Sequence, residues 1–139
     1  MNDNIAVDTN ILLYAHYADE PVKTKIALEI IDSMPLISSQ VISEYMNVLK
    51  RQFKLSKEAV IEICIVNFNG SPFHSTTFET IKLAKTLIDK YDFQLFDSVV
   101  VASALESNCS ILYSEDMQNG IIIEKQLKII NPFLAKRFR

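Results

Sequence analysis

Two glycines in the whole chain, Gly70 and Gly120, leave no glycine-rich loop of the kind that cradles nucleotide phosphates. Tryptophan is absent, and the two cysteines, Cys64 and Cys109, stand alone without metal-ligand spacing. They read as free buried thiols in a reducing compartment. Apolar runs are only a few residues long, so no membrane span is expected. The first four residues, Met-Asn-Asp-Asn, lack the basic flank and apolar core of a signal peptide, and cytoplasm is the expected location. An excess of basic charge is missing too. With 17 acidic against 14 basic side chains the net charge is −3, which does not advertise a nucleic-acid binder. It does not exclude one, since acids clustered at a metal site depress the net count. The one dense basic run, 136–139, reads equally as a solubilising end or a phosphate contact.

What remains is ordinary globular material, 49% hydrophobic and 22% charged, in a length of 139 residues that fits one domain with a real core. The chain is organised around Ile5-Ala6-Val7-Asp8-Thr9-Asn10-Ile11-Leu12-Leu13-Tyr14. This predicts a buried strand ending at Asp8, a tight turn over Thr9 and Asn10, and a helix from near Ile11. Pro21 opens a second helix whose face is marked by Val22, Ile26, Ile30, Ile31 and Met34, and Pro35 stops it. A short strand at 36–38 precedes a helix over 40–53, with Glu44 bordering its apolar stripe. Ser56 caps a helix through 67, Asn69-Gly70 turns the chain, and 73–75 is a third strand. Thr76 and Glu79 have capping-box spacing for the next helix, which carries Ile81, Ala84, Leu87, Ile88 and Tyr91. A loop over 91–96 leads to Asp97 at the entry of a helix that is apolar nearly all round. Strands at 110–113 and 127–130 complete the pattern. Short strands alternating with helices predict an α/β fold, a parallel sheet covered on both faces, in one domain over 1–139 without repeats or linkers.

Four acids recur at comparable places. Asp8 and Asp116 follow strands, Glu44 lies in the first turns of a helix, and Asp97 starts the buried one. In an open α/β sheet these positions face the crevice beyond the carboxyl ends of the strands. Singly, each has a plainer reading: a helix cap for Asp97, turn acids for Asp8 and Asp116, a solvated helix acid for Glu44. Together they pose an energetic problem. Two carboxylates about 4 Å apart repel by roughly 4 kcal/mol at an effective dielectric near 20. Several such pairs rival a domain's total stability of about 5–15 kcal/mol. A converged quartet therefore needs protons or cations, and hard divalent ions with oxygen ligands fit it.

The motifs Val7-Asp8-Thr9-Asn10-Ile11-Leu12-Leu13-Tyr14-Ala15, Ser43-Glu44, Phe96-Asp97-Ser98-Val99-Val100-Val101-Ala102-Ser103-Ala104 and Leu112-Tyr113-Ser114-Glu115-Asp116 resemble, in order, those of the PIN-domain family. The size and layout resemble its VapC-type toxins of bacterial toxin–antitoxin modules. The resemblance implies a three-layer α/β/α sandwich with a central, mainly parallel sheet of about five short strands. It also implies a Mg²⁺- or Mn²⁺-dependent endoribonuclease, a homodimer, and a cognate antitoxin laid across the acidic groove. By motif, Asp8, Glu44, Asp97 and Asp116 become the catalytic and metal-holding acids, with Ser114 steadying Asp116 or a water and Thr9 and Asn10 supporting the site. Ser98 departs from the family's usual alanine. Glu115 and Asp92 stay outside the quartet, Glu115 within reach of a metal-bound water. The expected chemistry is water attack on phosphorus with departure of the 3′-oxygen, needing no side-chain nucleophile. His16 and His74 are given no catalytic role; Tyr14 and Tyr17 are assigned to core packing.

Competing readings fit poorly. A haloacid-dehalogenase type phosphotransferase wants a second acid where Asn10 stands. A receiver domain needs an acceptor Asp after its third strand and a Lys after its fifth, where Ser75-Thr76 and Asn131-Pro132 stand. A PIN-like module that binds RNA or protein without cutting is the strongest alternative.

Overall fold

The computed structural model describes residues 4–135; both the basic run 136–139 and residues 1–3 lie outside the described residues. The first strand, β1 (Ile5–Val7), runs straight into helix α1 (Thr9–His16), followed by α2 (Pro21–Asp32). Strand β2 (Ile37–Ser38) leads to α3 (Ser39–Arg51) and α4 (Lys57–Phe68). Then come β3 (Phe73–His74), α5 (Phe78–Tyr91) and α6 (Leu95–Glu106). The chain continues through β4 (Ile111–Tyr113), β5 (Ile122–Ile123), β6 (Leu127–Ile130) and α7 (Pro132–Ala135).

Four strands form a sheet in the order β1-β4-β6-β5, parallel except for β5. The parallel pair β2–β3 continues it. The Leu36 N–H donates to the Ile5 carbonyl at 2.8 Å, and an Ala6–Leu36 bridge docks that pair on the free edge of β1. The α/β architecture expected from the sequence is what forms, with a mainly parallel sheet among helices. Among the described residues six short strands form, four in the main sheet and two in the docked pair, one more than the sequence marks. The extra one, β5, is two residues of antiparallel edge just beyond the left-handed turn at Gly120 (φ 91°).

The core lies where the sheet meets the helices. Leu12, Leu49, Leu87, Leu112, Leu127 and Ile129 are fully buried, each worth roughly 1.5–3 kcal/mol of transfer free energy. Every residue of α6 from Ser98 to Leu105 is buried, so this helix is the internal pillar predicted for it. Cys64 and Cys109 are free and buried, as expected.

Several boundaries differ from expectation, each for a local reason. No turn separates β1 from α1: Asp8 is itself the N-cap, its carboxylate accepting from the Thr9 N–H at 2.8 Å, so the helix starts at once. α5 is capped not by Thr76 but by Thr77, in a reciprocal box with Thr80. Thr76 is engaged instead with the Ser39 hydroxyl of α3. α6 begins two residues earlier than the loop reading placed it, so Asp97 sits inside its first turn. α2 buries only Ala27 completely; Val22 and Met34 of the expected apolar face are exposed, because the helix flanks α1 at the rim of the molecule. Phe53, the last residue of the stripe expected for α3, lies beyond the helix end and is 40% exposed.

Candidate active site

Asp8 is the fixed point. It follows β1, is 6% exposed, and takes two hydrogen bonds, from the Thr9 N–H and from the Ser114 hydroxyl at 2.9 Å. Ser114 stands at the end of β4, which pairs with β1 in register Val7–Tyr113, so adjacent parallel strands deliver donor and acceptor to the same point. Burial first, and then the charges of Asp97 and Glu44, push the Asp8 pKa from 3.8 up to about 6 against the lowering influence of those two bonds.

The other three acids are progressively more open. Glu44, one turn into α3, is half-buried, with the Gln40 amide donating to one carboxylate oxygen at 3.2 Å and the Thr9 hydroxyl to the other at 3.4 Å. Asp97, in the first turn of α6, is half-buried as well. Its pKa is raised by burial first, then by the charges of Glu44 and Asp116. Asp116 lies beyond β4 on an exposed bend, and the Asn10 amide donates to it at 3.0 Å. The acids thus sense one another across the crevice: Asp8 with Asp97 and Glu44, Asp97 with Glu44 and Asp116. Of the three supporting residues read from the sequence, Thr9 bonds Asp8 and Glu44, Ser114 bonds Asp8 and the Asp116 N–H, and Asn10 bonds Asp116.

Ser98 is fully buried and turns its hydroxyl back to the Leu95 carbonyl at 2.6 Å, so the departure from alanine is absorbed within the helix. Neither histidine is bonded to the acids. His74 pairs with Glu106 at 2.9 Å, and the His16 ring rests edge-on against Tyr17. Tyr17 packs against Tyr45 and Phe53, as expected of a core residue. Tyr14 packs against the core as well, but its hydroxyl also donates to Glu115 at 2.6 Å, and Lys23 closes on the same carboxylate. That grouping went unseen in the sequence, where no spacing signals bonds across ninety or more residues.

Among the described residues, no three or more His, Cys, Asp or Glu side chains stand together as a ready-made ion site. The chemistry of the donor set still fits a hard divalent cation. It is all oxygen and drawn from four separate elements. Burial first, and the neighbouring charges after it, disfavour the ionised form of Asp8, the deepest of the four. A proton or a cation relieves that repulsion.

A family model for the PIN domain matches residues 5–118 of the chain. No curated protein matches it in sequence. Among solved structures, VapC20 of Mycobacterium tuberculosis, a sarcin–ricin loop cleaving toxin, is similar with a TM-score of 0.66 at 18% identity, covering 81% of this chain and 90% of its own. A toxin–antitoxin complex from Klebsiella pneumoniae superposes with a TM-score of 0.67 at 17% identity, covering 93% and 97%. FitAB bound to a DNA fragment gives 0.62 at 13% identity over 93% and 95%. At these identities the likeness is one of fold.

Proposed function

The chain belongs to the PIN domain family, and on that premise we propose that it is a metal-dependent endoribonuclease, a VapC-type toxin held in check by a cognate antitoxin. One observation carries the reading: four carboxylates from four elements are electrostatically coupled at the carboxyl end of the sheet. Asp8 and Asp97 would hold the ion most directly, Asp116 would complete the set, and Glu44 would hold a second ion or position a water. When bound, Mg²⁺ or Mn²⁺ supplies a Lewis acid that lowers the pKa of water and stabilises the departing 3′-oxygen. The protein's own groups keep the acids aimed. Ser114 and the Thr9 N–H fix the Asp8 carboxylate, Gln40 and Thr9 restrain Glu44, and Asn10 restrains Asp116.

Beside Glu44 a groove of about 640 Å³ runs between α3 and α4, lined by Ser43, Asn47, Lys50, Lys57 and Phe96 among others. It supports RNA as the substrate. The lysines suit backbone phosphates, and the exposed ring of Phe96 offers a face on which an unpaired base stacks. Apolar residues left open on α4, Ile61, Ile65 and Val66, support a protein partner. The similar toxin–antitoxin complex supports the antitoxin as that partner. On this reading the chain is one PIN-like domain that acts as a homodimer in the cytoplasm.

The loose gathering of the acids favours one second reading, a PIN-like module that binds RNA or protein without cutting. A single experiment separates the two: a labelled total-RNA pool incubated with the purified protein, in Mn²⁺ or in EDTA, beside Asp8→Asn. The nuclease reading expects cleavage only in Mn²⁺ and only by the unsubstituted protein. Intact RNA in every sample, with RNA retained by the protein in a binding assay, supports the second reading.

A further inference from the structure

We propose that Lys23, Glu115 and Tyr14 form a clamp that positions Asp116 in the acidic site, an inference that rests on the metal-dependent reading above. Asp116 needs such help. It lies past the last residue of β4, in a stretch without regular structure, and its carboxylate has a single bond, from Asn10. Its neighbour Glu115 is far more firmly held. One Glu115 oxygen pairs with the Lys23 ammonium at 2.5 Å, the other accepts from the Tyr14 hydroxyl at 2.6 Å, and Lys23 also donates to that hydroxyl at 3.2 Å. The three groups close a triangle across α1, α2 and the bend after β4.

The triangle is itself braced. The Tyr14 ring meets Phe133 of α7 edge-on at 5.1 Å, and the Lys23 ammonium lies 4.8 Å from the Tyr14 centroid and 5.4 Å from that of Phe133. The Thr24 hydroxyl donates to the Tyr14 carbonyl at 2.7 Å, fixing α2 against α1. Isolated surface ion pairs contribute little; this one has three mutual bonds and two aromatic walls.

Register on α1 connects the clamp to Asp116. Asn10 and Tyr14 are four residues apart on one ridge of the helix. Asn10 bonds Asp116 while Tyr14 bonds Glu115, so two successive acids of the bend are gripped by successive turns of α1. Inward of both, the Ser114 hydroxyl accepts from the Asp116 and Met117 N–H groups at 3.3 Å each. Lys23 also neutralises Glu115, keeping a fifth acid from adding to the repulsion among the four. Glu115 is thus a positioning residue engaged by Lys23.

The test is a double-mutant cycle read by Mn²⁺ binding, with electron paramagnetic resonance of free Mn²⁺ as the signal and the full chain as the sample. Glu115→Gln and Tyr14→Phe are each expected to weaken Mn²⁺ binding about tenfold. Neither should weaken it further in an Asp116→Asn background, and Lys23→Arg should retain affinity where Lys23→Met loses it. Tyr14→Phe removes only a hydroxyl, so it keeps the test open should Glu115→Gln fold poorly. Unchanged affinity in both variants, or losses that multiply fully with Asp116→Asn, overturns the clamp and leaves the metal-dependent reading standing. Failure of the unsubstituted protein to bind Mn²⁺ overturns that reading, and the clamp with it.

Discussion

Asp8 and Asp116 follow neighbouring parallel strands, yet the protein holds them by opposite means. Asp8 is anchored from within: a strand end behind it, a helix N-terminus ahead, the Ser114 hydroxyl beside it, and burial all round. Asp116 is exposed and anchored by side chains, through Asn10 and the braced neighbour Glu115. Burial gives Asp8 a fixed geometry at an electrostatic cost, visible in its raised pKa. Exposure spares Asp116 that cost and transfers the task of positioning to residues far away in sequence. Asp8 should therefore govern both stability and chemistry, and Asp116 chemistry alone.

That contrast is open to experiment. The largest effect is expected from Asp8→Asn on RNA cleavage in Mn²⁺, a loss on the order of 100-fold or more in kcat/KM. A loss no greater than that of Asp116→Asn would erase the distinction between the two acids. Next comes pH. Because Asp8 keeps its proton up to about pH 6 when folded and releases it near 3.8 when unfolded, the native state binds more protons between those values. Metal-free stability should therefore fall as pH rises from about 4 through 6, by something on the order of 3 kcal/mol. Burial of Asp97 acts in the same direction. Urea unfolding in EDTA across that range measures the slope, and Asp8→Asn should flatten it.

Ser114→Ala should cost about 1–3 kcal/mol. It leaves a buried Asp8 oxygen without its hydroxyl donor and the Asp116 and Met117 N–H groups without their acceptor. Chemical denaturation at pH 7 checks this. The smallest effect is expected from Asp116→Asn on stability, within about 0.5 kcal/mol of the unsubstituted protein. A larger loss in the same measurement would show that the exposed acid also supports the fold.

Much of the fold was readable because its signals are local. Strand-then-acid at Asp8, the cap at Ser56, Pro21 at the first turn of α2 and the nearly all-round apolar character of α6 are all written within a few residues. The start of α6 was not, because Gln94 caps it without a side-chain bond and so leaves no cap signature. Strand β5 is too short to carry an alternation. In the crevice, acids at strand ends and in the first turns of helices could be picked out from topology. Gln40, which bonds Glu44, and Lys23, which bonds Glu115, could not, since nothing in an amphipathic helix says which polar residue turns toward a neighbour. The Thr77–Thr80 box was missed because Thr76 and Glu79 offered the more familiar spacing one residue earlier.

The pairing of β1 with β4 has a further consequence, in time rather than space. The first strand of the chain finds its partner only after more than a hundred residues have been made, and the bonds Asp8–Ser114 and Asn10–Asp116 each close a gap of 106 residues. Non-local parallel pairing of this kind forms late, because its loop-closure entropy must be met before the contacts reward it. A nascent chain ending before β4 carries Asp8, Glu44 and Asp97 but no partner strand to bring the fourth acid beside them. The four-acid crevice is therefore complete only once β4 and the bend after it have been made and have paired with β1.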